Sequence, residues 1–499
     1  MAQKYFIIVH INTKLAFFWA LIERAAPQAI TFLISIWIAR LVGPSAYGLI
    51  GMLGIFMALG AAFTDLAFSA ALVQKKEVSR DDETSIFYLN IISGLFLTLL
   101  FCAISPWVAA FFHQAILMPI LCVQSLTIFI SSFGVVQLAL ITRSMSFKIN
   151  AMIELVASTF SGVVGIGMAS WGFGVWSLVG INLARACCGV VLLWCLRDWR
   201  PRGRLRMESI RSLWGYSGKL LYASLFHRVA TNIYAVVIGR VYPPADLGLY
   251  TRANSFPALP AGLLTGIVQR VAFPLFSRNQ DNHPYLLAAI RRQNRILVFF
   301  TTAILTVLAV TSDEMIPLLI GSKWNGAIPL MKIFCVGGIF ASAFPLHSEL
   351  LKALGKSDVF FRVEMLKKVA IVLVIACVYH FGIIALAWGA VLISLTDYIL
   401  SAWPNVKSVG YTWRMQARDV LSPLLLCLIC VGVTESINWK LFCFPVVILL
   451  AKIVLWFLLM ALATFLFRHT LFAEIWELIV SFCGKIQMLR AKPSATSLT

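Results

Sequence analysis

The sequence is poor in charged residues. They make up 12% of the 499 residues, whereas hydrophobic residues make up 60%. A soluble globular domain carries about a quarter charged residues, so this composition excludes an ordinary water-soluble fold. Many apolar runs reach the roughly 20 residues that a helix needs to span the hydrocarbon of a bilayer. The composition therefore predicts a polytopic membrane protein.

Sequence patterns of enzymes, metal sites and nucleic-acid-binding proteins are also missing. The chain has no Gly-rich phosphate loop with a Lys and no G-x-S-x-G, so we expect a non-enzyme without cofactor. The pair Cys427 and Cys430 lies in an apolar run without a His or a second pair to complete a metal site. The net charge of +20 comes from scattered Lys and Arg, so we expect no nucleic acid as partner. We expect no cleaved signal peptide either.

Apolar segments predict fourteen membrane-spanning helices. Their approximate limits are 15–42, 46–72, 85–112, 116–140, 150–171, 174–197, 212–241, 246–275, 293–312, 326–354, 358–380, 382–405, 418–436 and 441–467. Every second connection is rich in basic residues, such as "RDWRPRGRLR" after the sixth span, and the connections between them are not. Because cytoplasmic loops carry the excess of Lys and Arg, both termini are predicted to be cytoplasmic. The longest connection on the other side is predicted to be a loop over 311–327.

A sequence repeat with an offset of 200 residues links the two halves of the chain. The stretch "IARLVGPSAYGLIGM", which begins at Ile38, recurs as "IGRVYPPADLGLYTR", which begins at Ile238. An Arg, a Pro, a Gly and a Leu are shared, at Arg40, Pro44, Gly48 and Leu49 and again at Arg240, Pro244, Gly248 and Leu249. Six predicted spans separate the copies, so both enter the membrane from the same side. Parallel repeats of this kind are typical of transporters whose substrate site lies between the halves.

The repeat predicts the domain organisation. We expect an all-α polytopic membrane protein with two pseudo-symmetric six-helix lobes around a central cavity. The lobes would cover 1–210 and 211–410, and residues 411–499 would add two helices and a cytoplasmic amphipathic tail.

Polar residues inside the spans are candidates for substrate binding. Arg24, Gln28 and Thr31 are spaced so that they share one face of the first span, and the same face 200 residues later carries Arg228 and Thr231. Arg185 is a further charge at membrane depth, where charged side chains usually face protein or water. Arginine, amide and hydroxyl groups suit an anionic cargo that carries sugars.

Further charged residues are expected at the mouth of the cavity and at a coupling site. The predicted mouth residues are Arg40, Arg240 and Arg252, although the first and second would also suit snorkelling to lipid phosphates. Asp65 in the second span and Asp397 in the twelfth are candidates for a latch or a proton-coupling group. For Asp65, a tie between neighbouring helices is the alternative.

The repeat turns and the loops around them resemble a known family. The stretches "ARLVGPSAYGLIGM", "SAALVQKKEVSRDDETSIFYLN" and "GRVYPPADLGLYTRANSFPALPAGLLTGIVQRVAFPLFSR" are similar to polysaccharide exporters of the multidrug/oligosaccharidyl-lipid/polysaccharide superfamily. Within it the similarity is closest to Wzx-type flippases of lipid-linked oligosaccharides, including the colanic acid exporter branch. It covers roughly residues 15–410 and leaves the last two helices outside.

The resemblance implies a function and its partners. Such proteins are thought to move an undecaprenyl-diphosphate-linked oligosaccharide across the bacterial inner membrane by alternating access, with the prenyl tail in membrane lipid. Polymerase or export machinery of the same pathway would be a further partner. Two alternatives stay open, a drug or small-solute antiporter of the same fold and a membrane polysaccharide polymerase or ligase. The enzyme would be expected to have a sizeable outer loop, which the sequence lacks.

Overall fold

The structure, a computed structural model, describes residues 27–63, 72, 75, 78–144, 146–437, 439 and 444–466. These residues form sixteen α-helices and no strand, which confirms the all-α prediction. The helices are α1 Pro27–Leu41, α2 Pro44–Ala61, α3 Arg80–Phe112, α4 Leu117–Ser132, α5 Val135–Arg143, α6 Phe147–Ser170, α7 Val175–Leu196, α8 Met207–Val241, α9 Pro244–Arg278, α10 His283–Val310, α11 Ser312–Ile320, α12 Ala327–Ala353, α13 Ser357–Val378, α14 Ile383–Val409, α15 Trp413–Glu435 and α16 Pro445–Leu466. The predicted amphipathic tail lies outside the described residues.

Ten of the described helices are long and apolar enough to cross a membrane. Helices α4 and α5 are apolar enough together for an eleventh span, with a bend of 46° between them. Helices α8 and α13 match predicted spans in position but carry five charged residues each. The described part of the chain is therefore a multi-pass membrane protein, and each predicted span has a helix at its place.

The two repeat turns determine where α1 and α8 end and where α2 and α9 begin. The α1 helix ends with Val42 N–H donating to Ile38 O over 2.7 Å, and the equivalent bond from Tyr242 N–H to Ile238 O measures 2.8 Å. Helices α2 and α9 then both begin at the repeated proline. Proline suits a first helical position because it lacks the N–H that would be left without a partner there. The twin turns are thus alike in structure as well as in sequence.

One predicted loop has structure of its own. The predicted connection 311–327 contains α11 and a 3₁₀ turn at Ser322–Trp324. Asp313 and Glu314 lie in the first turn of α11, where carboxylates interact favourably with the helix dipole. Trp324 is fully buried, so this connection is a packed element rather than an open loop.

The described chain divides into two compact units. The first contains the described residues up to Arg252 together with Leu319–Gly326. One of its cores is centred on Phe87, whose ring packs edge-on against Trp199 with centroids 5.5 Å apart. A capping box begins α3, because Ser79 and Asp82 each accept the backbone N–H of the other over 3.1 Å. The predicted lobe limits at 210 and 411 stay predictions.

The second unit contains residues 253–318 and the described residues from Ala327 onward. A buried polar network joins α10 to the start of α15. Arg291 donates to both carboxylate oxygens of Asp419, over 2.9 and 3.1 Å, and the Tyr411 hydroxyl donates to the same carboxylate over 3.0 Å. Burial, and then the charge of Asp419, raise the pKa of Tyr411 above its ordinary value. The Tyr411 hydroxyl is therefore a neutral donor at physiological pH.

Candidate functional site

A cavity of ≈ 540 Å³ lies inside the first unit, among α2, α4, α5, α6 and α7. Its charged residues are Glu154 on α6 and Arg185 on α7. One guanidinium nitrogen of Arg185 lies 2.7 Å from a Glu154 oxygen, and the two side chains are 40% and 38% exposed. The structure thus places the predicted binding residue Arg185 in a cavity, with a carboxylate as its partner.

Uncharged hydrogen-bonding groups surround this ion pair. Gln124, Thr127 and Ser131 line the cavity from one face of α4, and Asn182 lies one turn before Arg185 on α7. Gln124 is 4% exposed, and its Oε1 atom has no hydrogen-bond partner among the described residues. A buried amide oxygen without a partner is costly, so it favours a ligand or water that donates to it.

Sequence reasoning missed most of these groups. Glu154 is an ionisable residue inside a span, but nothing in the sequence indicates that it contacts Arg185, 31 residues later. The signal that was available is the spacing of polar residues. Gln124, Thr127 and Ser131 recur at intervals of three and four residues in a mainly apolar helix.

The polar stripe predicted on the first span is only partly described. Arg24 lies outside the described residues, and Gln28 and Thr31 are exposed on α1. On α8, Arg228 is half-buried and its Nε lies 3.4 Å from the Ser224 hydroxyl. The Thr231 hydroxyl donates to backbone carbonyls of its own helix, those of His227 and Arg228, over 3.0 and 3.1 Å. Among the described residues, the Arg228 guanidinium thus has a long contact through Nε, whereas the Thr231 hydroxyl donates within its own helix.

Arg252 has a different place from the one predicted. Instead of lying at an exposed mouth, it is 5% exposed in the first unit. One of its nitrogens donates to Ser35 Oγ over 3.0 Å, and the guanidinium carbon lies 5.9 and 5.8 Å from the rings of Phe32 and Tyr47. Contacts with two aromatic rings stabilise a cation in such a position. Arg252 therefore connects the start of α9 to the α1 helix.

The other two predicted mouth residues are exposed but contact protein. Arg40 Nε donates to the Leu319 carbonyl over 2.7 Å. Arg240 Nη1 donates to the Phe111 carbonyl over 2.6 Å and lies 2.8 Å from His113 Nε2. Both arginines thus hold a backbone carbonyl near the end of a helix.

The two predicted coupling residues differ in how far the structure describes them. Asp65 lies outside the described residues. Asp397 on α14 is half-buried, and one of its oxygens is enclosed without a hydrogen-bond partner among the described residues. Lys367 and Glu364 on α13 are within electrostatic range of Asp397 and form an ion pair with each other at 2.6 Å. The second unit thus has a cluster of three charged side chains, those of Asp397, Glu364 and Lys367.

Comparison with known proteins places the chain among polysaccharide biosynthesis proteins. The family model described as "Polysaccharide biosynthesis protein" matches residues 37–329, more than half of the chain. The teichuronic acid biosynthesis protein TuaB of Bacillus subtilis (strain 168) is 22% identical over 72% of this chain and 76% of its own length. The lipopolysaccharide biosynthesis protein WzxC of Escherichia coli (strain K12) is 24% identical over 78% of this chain and 80% of its own length.

Solved structures share the fold. The lipid II flippase MurJ in an inward closed conformation aligns with a TM-score of 0.73 over 93% of this chain and all of that chain, at 16% identity. An inward-facing multidrug resistance MATE family transporter of the MOP superfamily aligns with a TM-score of 0.60 over 78% of this chain and 98% of that chain, at 13% identity. The named relatives are biosynthesis proteins, and the two solved structures are those of a flippase and a transporter. The chain belongs to the polysaccharide biosynthesis protein family of multi-pass membrane proteins, with the fold shared by MurJ and the MATE transporters.

Proposed function

We propose that this protein is an inner-membrane flippase. It moves an undecaprenyl-diphosphate-linked repeat unit of an exopolysaccharide or O-antigen from the cytoplasmic to the periplasmic leaflet by alternating access. Its two termini lie in the cytoplasm, and its partners are the cargo, membrane lipid and the polymerase or export machinery that uses the product. The names and folds of its relatives support this proposal.

The observation that carries the proposal is the Glu154–Arg185 pair inside a hydrogen-bonding cavity. An ion pair between side chains as exposed as these is worth only about 0–1 kcal/mol. A diphosphate offers more negative charge than one carboxylate, and a guanidinium binds phosphate oxygens bidentately. Cargo therefore displaces Glu154 from Arg185 at little cost. The carboxylate keeps the guanidinium paired while the site is free of cargo.

The surrounding groups match the rest of a sugar diphosphate. Thr127, Ser131 and Asn182 line the cavity and are hydrogen-bonding groups for sugar hydroxyls. Without such a cavity, the diphosphate would have to cross hydrocarbon, at a cost on the order of tens of kcal/mol. The apolar prenyl chain has no such barrier and stays in lipid. The cavity thus supplies the polar groups for the diphosphate that the hydrocarbon of the bilayer lacks.

The test is export at equal protein abundance in a strain that lacks its own exporter. Arg185→Ala should lower polymer export at least several-fold, and Arg185→Lys should restore part of it, because Lys is a point charge without the planar fork. Arg202→Ala is the matched control, since Arg202 is exposed in the connection after α7. Glu154→Gln should leave export within about twofold of wild type, because the guanidinium stays available to cargo.

The outcomes separate binding from structure and from the antiporter alternative. If Arg185→Ala and Glu154→Gln lower abundance and export in proportion, the pair is structural and the proposal loses its support. Normal export from Arg185→Ala would remove Arg185 from the transport path. Drug susceptibility measured in the same strains tests the MATE-like activity. A protein that changes susceptibility without restoring export would be an antiporter.

A further inference from the structure

The two copies of the repeat turn pack against each other reciprocally in the first unit. A Cβ atom added at Gly48 would lie 1.7 Å from the Pro244 carbonyl oxygen, and one added at Gly248 would lie 1.9 Å from the Pro44 carbonyl oxygen. Both glycines are buried. Backbone thus meets backbone in both directions, as at the centre of a two-fold interface, and only glycine fits at either position.

The two repeat arginines follow the same reciprocal pattern. Arg40, before the first turn, binds the carbonyl of Leu319 in the last turn of α11. Arg240, before the second turn, binds the carbonyl of Phe111 in the last turn of α3. The carbonyls at a helix C-terminus lack intrahelical partners and carry the negative end of the dipole, so a cation is favoured there. Arg40 lies before the first copy of the turn and contacts α11, which follows the third predicted span of the second half. Arg240 lies before the second copy and contacts α3, the third predicted span of the first half.

Side chains around the turns add to this contact. The Trp324 indole, fully buried, donates to the Ala39 carbonyl over 2.9 Å. Leu247, also fully buried, lies against α2, because a Cβ added at Gly51 would be 3.2 Å from its Cδ2. In the same way, a Cβ added at Gly326 would lie 2.9 Å from Leu249 Cδ1. The interface is therefore close and buried at its centre, and the exposed Arg40 and Arg240 lie at its rim.

We propose that the twin turns form a lock that closes the outer ends of α1, α2, α8 and α9, with Arg40 and Arg240 as its two positioning residues. The proposal rests on the flippase function and on the orientation predicted from the basic loops. When cargo is released outward, the glycine contact separates and both arginines leave their carbonyls. Arg40 and Arg240 then act on the conformation of the protein and not as ligands of the cargo.

The geometry explains why the repeat keeps these residue types. Each arginine makes its contact while exposed, so each contact is weak and reversible. Two exposed contacts around a close central one hold the closed state without making it permanent. A larger residue in place of either glycine would keep the turns apart.

The first experiment measures opening without measuring transport. In a background lacking native cysteines, Leu247→Cys should react only slowly with an impermeant thiol reagent added outside. Gly48→Ala and Gly248→Ala should each raise the labelling rate several-fold, as should Arg40→Ala and Arg240→Ala. Gly43→Ala is the matched control, since an added Cβ at Gly43 meets nothing within 4 Å, and it should leave the rate unchanged.

The labelling results can contradict the lock directly. Unchanged labelling in all four variants, with normal abundance, would show that the contact does not hold the turns closed. An effect from one arginine and none from the other would contradict the reciprocal arrangement. Arg→Lys at either position should label close to wild type, because Lys can still donate to a carbonyl.

The second experiment keeps the lock shut. Gly51→Cys combined with Leu247→Cys places the two sulfur atoms on facing helices, and the single variants are the controls. Oxidation should arrest export and a reductant should restore it. Continued export with the disulfide formed would overturn the proposal. If the wild-type protein restores no export while the labelling rates change as predicted, the flippase function fails and the lock stands.

Discussion

Replacing Asp419 should be among the most damaging single changes in the second unit. Asp419 is 2% exposed and accepts two hydrogen bonds from Arg291 and one from Tyr411. Removing one partner of a buried ion pair costs about 3–5 kcal/mol, because the other charge is left without compensation. Since the Arg291 side chain is still 27% exposed, water recovers part of this loss. We therefore expect Asp419→Ala to cost about 3 kcal/mol.

The assay is thermal unfolding of the purified protein in detergent, beside a matched ion-pair variant. Asp313→Ala is the control, because Asp313 pairs with Lys332 at 2.7 Å but its side chain is 47% exposed. Exposed pairs contribute about 0–1 kcal/mol, so the control should unfold close to wild type. Asp419→Ala should show a clearly lower unfolding temperature and lower abundance in cells. Equal unfolding temperatures of the two variants would refute the assignment of Asp419 as the centre of this network.

Two further predictions concern topology and the second half of the repeat. Cysteine at exposed Ala115 or Ser322 should react with an impermeant thiol reagent from outside, and cysteine at Ser79 or Ser357 should not, because the basic loops are predicted to face the cytoplasm. Labelling of Ser357→Cys from outside would reverse the predicted orientation. Arg228→Ala should lower export at normal abundance, and Arg228→Lys should restore only part of it, because Lys lacks the planar fork of the guanidinium and the Arg228 Nε makes a long 3.4 Å contact with Ser224. Normal export from Arg228→Ala would exclude Arg228 as a cargo ligand.

The sequence predicts the helices well, because apolar runs of this length have few other stable structures. The span limits, the alternation of basic loops and the offset of 200 residues are all local or periodic signals. They place helix starts at residues 46 and 246, two residues after the starts at Pro44 and Pro244 in the structure. Local signals also explain the errors. The apolar segment 116–140 predicts one straight span, but the helix bends by 46° near Gly134, between α4 and α5.

The site is harder to predict, because its contacts join distant parts of the chain. The sequence marks Arg185 as an unusual charge, but the contact with Glu154 depends on how α6 and α7 pack. Arg40 reads equally well as a mouth residue or a lipid-facing one, since the Leu319 carbonyl it binds is 279 residues away. Arg252 follows the second turn and gives no sign that it would be buried between two rings. Backbone carbonyls as partners leave no trace in the sequence.

Reconstitution into liposomes tests the central claim most directly. The purified protein is placed in vesicles with a fluorescent undecaprenyl-diphosphate oligosaccharide, and an impermeant quencher measures how much label is in the outer leaflet over time. We expect wild-type protein to equilibrate the label between leaflets, and Arg185→Ala at equal incorporation to do so at least several-fold more slowly, while Arg202→Ala matches wild type. Leaflet exchange no faster than in protein-free vesicles, under every ion gradient tried, would contradict the account.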